Sequence, residues 1–153
     1  MTKSVVFCCS QRFKPELEQF IKGLQICSNA CLVHIRVLEP EFEDRPPAFL
    51  NASEAERLKD EVYKARVGDK VFEHLFKKVL PADVCFIFNL NGYIGANTIG
   101  ELFAAAALRK ICYALDPRML MGKYPDQLYE EPSAIKLIHE VVPDPVELCR
   151  RLM

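Results

Sequence analysis

Short apolar runs of strand length alternate with stretches of helical spacing along the chain, and one run, residues 84–88, is apolar at every position. A strand apolar at every position is buried on both faces, and strand–helix alternation is the pattern of a parallel sheet covered by helices. The predicted fold class is therefore α/β. The expected architecture is a flavodoxin-like (Rossmann-like) three-layer sandwich with a five-stranded parallel sheet in the order 2-1-3-4-5. The 153 residues suit one domain, 1–153, with a real core, and are too few for two comfortable ones.

The elements follow in order. Residues 3–9 are a short apolar run, the first strand, and in residues 14–27 Leu17, Phe20, Ile21 and Leu24 fall on one helical face. Residues 31–38 alternate and are β-branched, as in a second strand. Residues 39–51 are acidic and carry Pro40, Pro46 and Pro47, which predicts an exposed loop. Ser53-Glu54-Ala55-Glu56 has capping-box spacing, and helical pattern continues to Leu80, with a break expected at Gly68 and a stop at Pro81. Residues 83–89 form the buried third strand, 90–97 a Gly/Asn loop, 98–110 an Ala-rich helix and 111–115 a fourth buried strand. A helix over 132–139, a short last strand at 140–142 and a closing helix over 145–152 complete the prediction.

Composition excludes several classes of function. Half of the residues are hydrophobic and 27% are charged, which is globular and not disordered. A net charge of −1 provides no global field toward a nucleic-acid polymer or an anionic membrane, and no apolar run approaches the roughly 20 residues of a membrane span. The odd count of 7 cysteines, most inside apolar runs, reads as free thiols in a reducing compartment, hence a cytoplasmic protein. In that compartment the Asn51-Ala-Ser53 sequon has no meaning. Cys27 and Cys31 have no partner pair at zinc spacing, so no metal site is expected.

In a sheet wound this way, ligands bind at the carboxyl ends of the strands where the winding reverses. Two loops meet there. The first, Ser10-Gln11-Arg12-Phe13, enters a helix; its amides, the Ser10 hydroxyl and the Arg12 guanidinium suit a small anion such as a 5′-phosphate, but an ordinary strand–helix turn reads the same way. The second contains Asn89, Asn91, Gly92, Tyr93, Gly95 and Thr98: asparagines that donate and accept, glycines that let the backbone approach a ligand, and an aromatic face with a polar tip. Glu101 follows at the third position of the expected helix. Thr98-Ile99-Gly100-Glu101 is itself a capping box, so Glu101 is either a helix cap or an ionised carboxylate aimed at the crevice.

These segments resemble nucleoside 2-deoxyribosyltransferase-like proteins. Ser10-Gln11-Arg12-Phe13-Lys14 is similar to their opening motif, and Ala82-Asp83, Asn89, Asn91-Gly92-Tyr93-Ile94-Gly95, Thr98 and Glu101 are similar to their central one. The likeness covers roughly residues 3–38 and 69–117. It implies cleavage or transfer of the N-glycosidic bond of 2′-deoxynucleosides or their 5′-monophosphates. Glu101 would act as nucleophile through a glycosyl-enzyme intermediate, as in retaining glycosidases, without a cofactor. Relatives often form homo-oligomers. Two positions depart from the pattern: Cys9 replaces a glycine, and Leu75 replaces an acid, with His74 beside it as a substitute proton donor. Two functions stay open: this glycosidase or transferase, and a nucleotide-binding module that keeps the pocket without the chemistry.

Overall fold

A computed structural model describes residues 2–153. Strand β1 (Lys3–Cys9) leads through a 3-10 turn (Gln11–Phe13) into α1 (Lys14–Ala30) and β2 (Ile35–Leu38). Three helices follow: α2 (Pro47–Leu50), α3 (Glu54–Arg57) and α4 (Glu61–His74), the last ending in a π turn (Leu75–Val79). Next come β3 (Val84–Phe88), a 3-10 turn (Leu90–Gly92), α5 (Ala96–Ala107) and β4 (Ile111–Ala114). The hairpin β5 (Leu120–Lys123) and β6 (Gln127–Glu130), then α6 (Pro132–Lys136), β7 (Glu140–Val141) and α7 (Pro145–Leu152), complete the chain.

The main sheet is parallel throughout, in the order β2-β1-β3-β4-β7. This is the expected five-stranded order, with β7 in the fifth place. Val5 pairs with Val84 and Cys9 with Phe88, so β1 and β3 are neighbours. Strand periodicity divides the core. Val5, Phe7, Phe86 and Phe88 pack under α1 and α7, while Val6, Cys8, Cys85 and Ile87 pack under α5 and α6. Phe7, Phe20 and Phe86 form an aromatic wedge on the first face, with ring centroids 5.1–6.0 Å apart. Gly23 on α1 lets α7 come close: a Cβ there would stand 2.9 Å from Pro145 Cγ. No helix among the described residues is long and apolar enough to cross a membrane.

Several boundaries differ from the sequence expectation. Helix α1 runs on to Ala30, and Leu32 turns the chain at φ 54°, so β2 starts at Ile35 and not at residue 31. The Ser28 hydroxyl donates to Val33 O across that turn. The segment 39–51 is not a plain exposed loop: it contains α2 and the buried Glu43. The helix begun by Ser53, which caps Glu56 N as expected, breaks at residues 58–60 and not at Gly68. Asp60 restarts it by accepting from Tyr63 N, and Gly68 sits inside α4. Helix α5 begins at Ala96 with Gly95 as its N-cap, so Thr98 is inside the helix and the Thr98–Glu101 capping box does not form. It ends at Ala107, where Arg109 leaves the helix at φ 60°. Helix α6 stops at Lys136, short of residue 139. The β5–β6 hairpin has no counterpart in the sequence prediction: its strands are four residues each and largely exposed, so they carry no apolar alternation.

Candidate functional site

A cavity of about 560 Å³ opens at the carboxyl ends of β1 and β3, within the usual range for small-molecule sites. Its floor is built from Glu101 on α5 and His74 at the end of α4, both buried. Glu101 is the sixth residue of its helix, beyond the first turn where a macrodipole acts strongly. What holds it is the imidazole: His74 Nε2 lies 2.8 Å from Glu101 Oε2. The π turn begins at the residue after His74, and Leu75 turns into the apolar cluster beneath α5. The position where the resemblance places an acid therefore faces core, and the histidine beside it faces the cavity.

A buried thiol completes this floor. Cys8 Sγ is 3.6 Å from His74 Nε2 and 3.8 Å from Cys85 Sγ. The Cys85 thiol favours ionisation of Cys8, but burial and the Glu101 carboxylate outweigh it and push the Cys8 thiol up to about 12. Cys8 therefore stays protonated, which disqualifies it as a nucleophile. Cys8, His74 and Glu101 are near enough to one another for metal ligands. The 2.8 Å contact is nonetheless a hydrogen-bond distance, shorter than the roughly 3.3 Å between ligands on a tetrahedral zinc. The trio reads as a close His74–Glu101 pair with the Cys8 thiol hydrogen-bonded to the imidazole.

The remaining walls come from three places. Tyr93, Gly95 and Thr98 line the cavity from the loop and first turn of α5, and Ser10 and Gln11 line it from the loop after β1. A Cβ on Gly95 would meet Tyr93 Oη at 3.6 Å, an ordinary contact that fills space and strains nothing. The third wall, absent from the sequence reading, is the segment around Phe42 and Glu43 with Arg57, Tyr63 and Lys70. Gln11 fixes it by gripping the Glu43 backbone on both sides: Glu43 N donates to Oε1 at 2.7 Å and Nε2 donates to Glu43 O at 3.3 Å. The Glu43 carboxylate is buried against Lys70 at 2.8 Å, with Arg66 and Arg45 further off. Arg57 pairs with Glu54 at 2.5 Å and lies over the Tyr63 ring.

Five residues that the sequence singles out lie outside this lining. Asn89 is buried and structural: Nδ2 donates to Asp116 O and Arg118 O, and Oδ1 accepts from Leu115 N and Asp116 N. It thereby moors the chain that leads to the hairpin, and the hairpin supplies Met121, Gly122 and Tyr129 to the cavity. Asn91 is exposed and donates to Tyr124 Oη at 3.0 Å. Gly92 is buried at φ 82°, where a Cβ would stand 3.0 Å from Arg118 Cβ, so its role is the turn itself. Phe13 packs edge-on to Tyr93 and Tyr124. The Arg12 guanidinium lies over the same two tyrosine rings, 6.0 and 5.4 Å from their centroids. In that loop the Arg12 and Phe13 amides already donate to Ser10 Oγ and Ser10 O, which leaves little for an anion.

Every buried side-chain polar atom that lacks an aligned hydrogen bond among the described residues belongs to this cavity's lining: Glu43 Oε1, Arg57 Nε, His74 Nδ1 and Glu101 Oε2. Glu43 Oε1 and Glu101 Oε2 have Lys70 and His74 at 2.8 Å, but out of line for a hydrogen bond. Native interiors leave few such atoms, and a cluster of them marks a place where something else completes the bonding.

Against known proteins, the likeness found is one of fold. A solved structure described as a conserved protein from Enterococcus faecalis V583 superposes with a TM-score of 0.53, covering 99% of this chain and 98% of that one, at 15% sequence identity. No family model and no curated protein matches the sequence.

Proposed function

We propose that this protein cleaves or transfers the N-glycosidic bond of 2′-deoxynucleosides, with Glu101 as nucleophile. The observation that carries the reading is the buried Glu101–His74 pair at the floor of a cavity walled by Tyr93, with unsatisfied polar atoms around it. Glu101 Oε2 is engaged by His74, so Oε1 is the oxygen assigned to the attack. In the first step Oε1 attacks C1′. The C1′–N bond breaks, its electron pair leaves with the base, and the base takes a proton from the imidazolium Nδ1. In the second step water or another base loses a proton to the neutral Nδ1 and attacks C1′, releasing Glu101. The close Nε2–Oε2 contact orients both groups. Tyr93 presents a ring to the base.

The lining favours the uncharged nucleoside over its 5′-monophosphate. Glu41, Glu43, Glu54 and Glu101 outnumber Arg57 and Lys70, and Arg57 and Lys70 are already paired with Glu54 and Glu43. Incubating the purified protein with each 2′-deoxynucleoside and monophosphate, and following free base by chromatography, tests both points. Base release from nucleosides first is expected. Absence of release from every compound, with or without an acceptor base, would overturn the reading.

One observation favours a second reading. Leu75, where the resemblance places an acid, packs into the core and offers no proton. On this reading the protein binds a nucleoside or nucleotide without turning it over, and saturable binding without base release identifies it. Seven cysteines without a disulfide support a reducing compartment, the cytoplasm, under either reading.

A further inference from the structure

A second cluster of chemically capable side chains lies on the other face of the sheet, where α1 and α7 pack together. Cys27 is one turn before the end of α1, Cys31 caps that helix, and Cys149 faces them from α7. Their three Sγ atoms all lie within 4.8 Å of one another. Cys27 and Cys31 share one helical face because they are four apart. Cys149 reaches them because Gly23 lets the Pro145 end of α7 sit directly against α1.

Core packing explains Cys149, which is buried, but not Cys31, which is exposed, and no disulfide pairing uses three thiols. The donor set is sulfur alone. Thiolates on a tetrahedral cation stand about 3.8 Å apart, from bonds of about 2.3 Å, so these three need only a small closure to converge. We propose that Cys27, Cys31 and Cys149 form a three-thiolate site for one soft d10 cation of the Zn(II) class, with the fourth position open to solvent beside Cys31. Binding involves no redox step: each ligating thiol releases its proton to solvent as its sulfur–metal bond forms. The bound ion clips the C-terminal helix to α1. None of the three cysteines lines the Glu101 cavity, so the proposal stands apart from the glycosidase reading.

Cd(II) serves as the probe, because cadmium thiolates absorb in the ultraviolet. The full chain, reduced with a phosphine, is titrated with Cd(II), and Zn(II) is then added in competition. Saturation at one equivalent is expected, with a rise in melting temperature and protection of Cys31 from alkylation. Cys31→Ser is the first variant, since an exposed position tolerates it; it should weaken binding by more than about tenfold. Cys9→Ser, outside the cluster, should titrate like the parent protein. Absence of saturable binding, or a Cys31→Ser protein with unchanged affinity, would overturn the site. So would finding Cys27 or Cys31 joined to Cys149 as a disulfide that forms in place of metal uptake.

Discussion

Glu101 and His74 gain their meaning from each other. A buried carboxylate is costly unless something stabilises its charge, and the imidazole 2.8 Å from Oε2 does so. Glu101→Gln keeps the volume and one acceptor but removes the charge. Binding of a deoxynucleoside should survive within a few-fold, and base release should fall by roughly three orders of magnitude or more, as for the loss of a covalent nucleophile. A Glu101→Gln protein that turns over near the parent rate would reassign the nucleophile. Asn89 shows the converse. The resemblance suggests a binding role for it, yet its carboxamide is committed to four backbone groups that hold residues 115–118. Asn89→Ala strips partners from those buried groups. It should cost about 2–4 kcal/mol of stability in chemical denaturation before any change in catalysis is visible.

At the scale of elements, the two helical glycines behave in opposite ways. Gly68 lies inside α4, exposed, with open space where a Cβ would go. Gly68→Ala should stabilise the protein by about 0.5–1 kcal/mol through helix propensity alone. Gly23 has the same intrinsic preference, but its Cβ would meet the rigid Pro145 ring at 2.9 Å. Gly23→Ala should therefore give no gain and a net loss of about 1 kcal/mol, as α1 and α7 move apart. Paired thermal melts compare the two directly. Asp83 joins the starts of β1 and β3: Ser4 N and Ser4 Oγ donate to its carboxylate, and Asp83 N donates to Ser4 Oγ. The bonds from the Ser4 backbone and then its hydroxyl hold the Asp83 carboxyl below the usual range. A depressed folded-state pKa contributes stability that is present above the unfolded value, about 3.9, and lost as pH falls through the folded one. Asp83→Asn should therefore lower stability at neutral pH and leave it closer to the parent in strong acid. Because Asp83 is exposed, the effect should be only about 0.5–1 kcal/mol.

Across the whole molecule, the cavity is assembled from segments far apart in sequence, and its cover hangs on few attachments. Gln11, in the loop after β1, grips Glu43, and Glu43 in turn neutralises Lys70 on α4. Gln11→Ala removes both backbone bonds while leaving Glu43 in its ion cluster. Faster hydrogen exchange at residues 41–45 is expected, with weaker ligand binding and little change at β3, whose amides lie in the middle of the sheet. Unchanged exchange in that segment would show that the ion cluster alone holds the cover.

The strand order was legible without coordinates because burial on both faces writes itself into consecutive apolar residues, as in Val84–Phe88, and because parallel crossovers leave few topologies. The crevice followed from that order, and Ser10, Tyr93, Gly95, Thr98 and Glu101 do meet in one cavity. Helix starts were legible where a side chain caps the backbone, at Ser53, and misleading where the N-cap has no side chain to do so, at Gly95. The β5–β6 hairpin and the wall around Glu43 were not legible. Their residues are short, mixed and half exposed, and only docking against the rest of the chain gives them shape. Side-chain partnerships were decided by tertiary structure alone: His74 with Glu101, Gln11 with Glu43, Cys149 with Cys27 and Cys31. Periodicity determines which face of an element turns inward. Which distant side chain it meets there depends on how the elements are packed, and that no local pattern records.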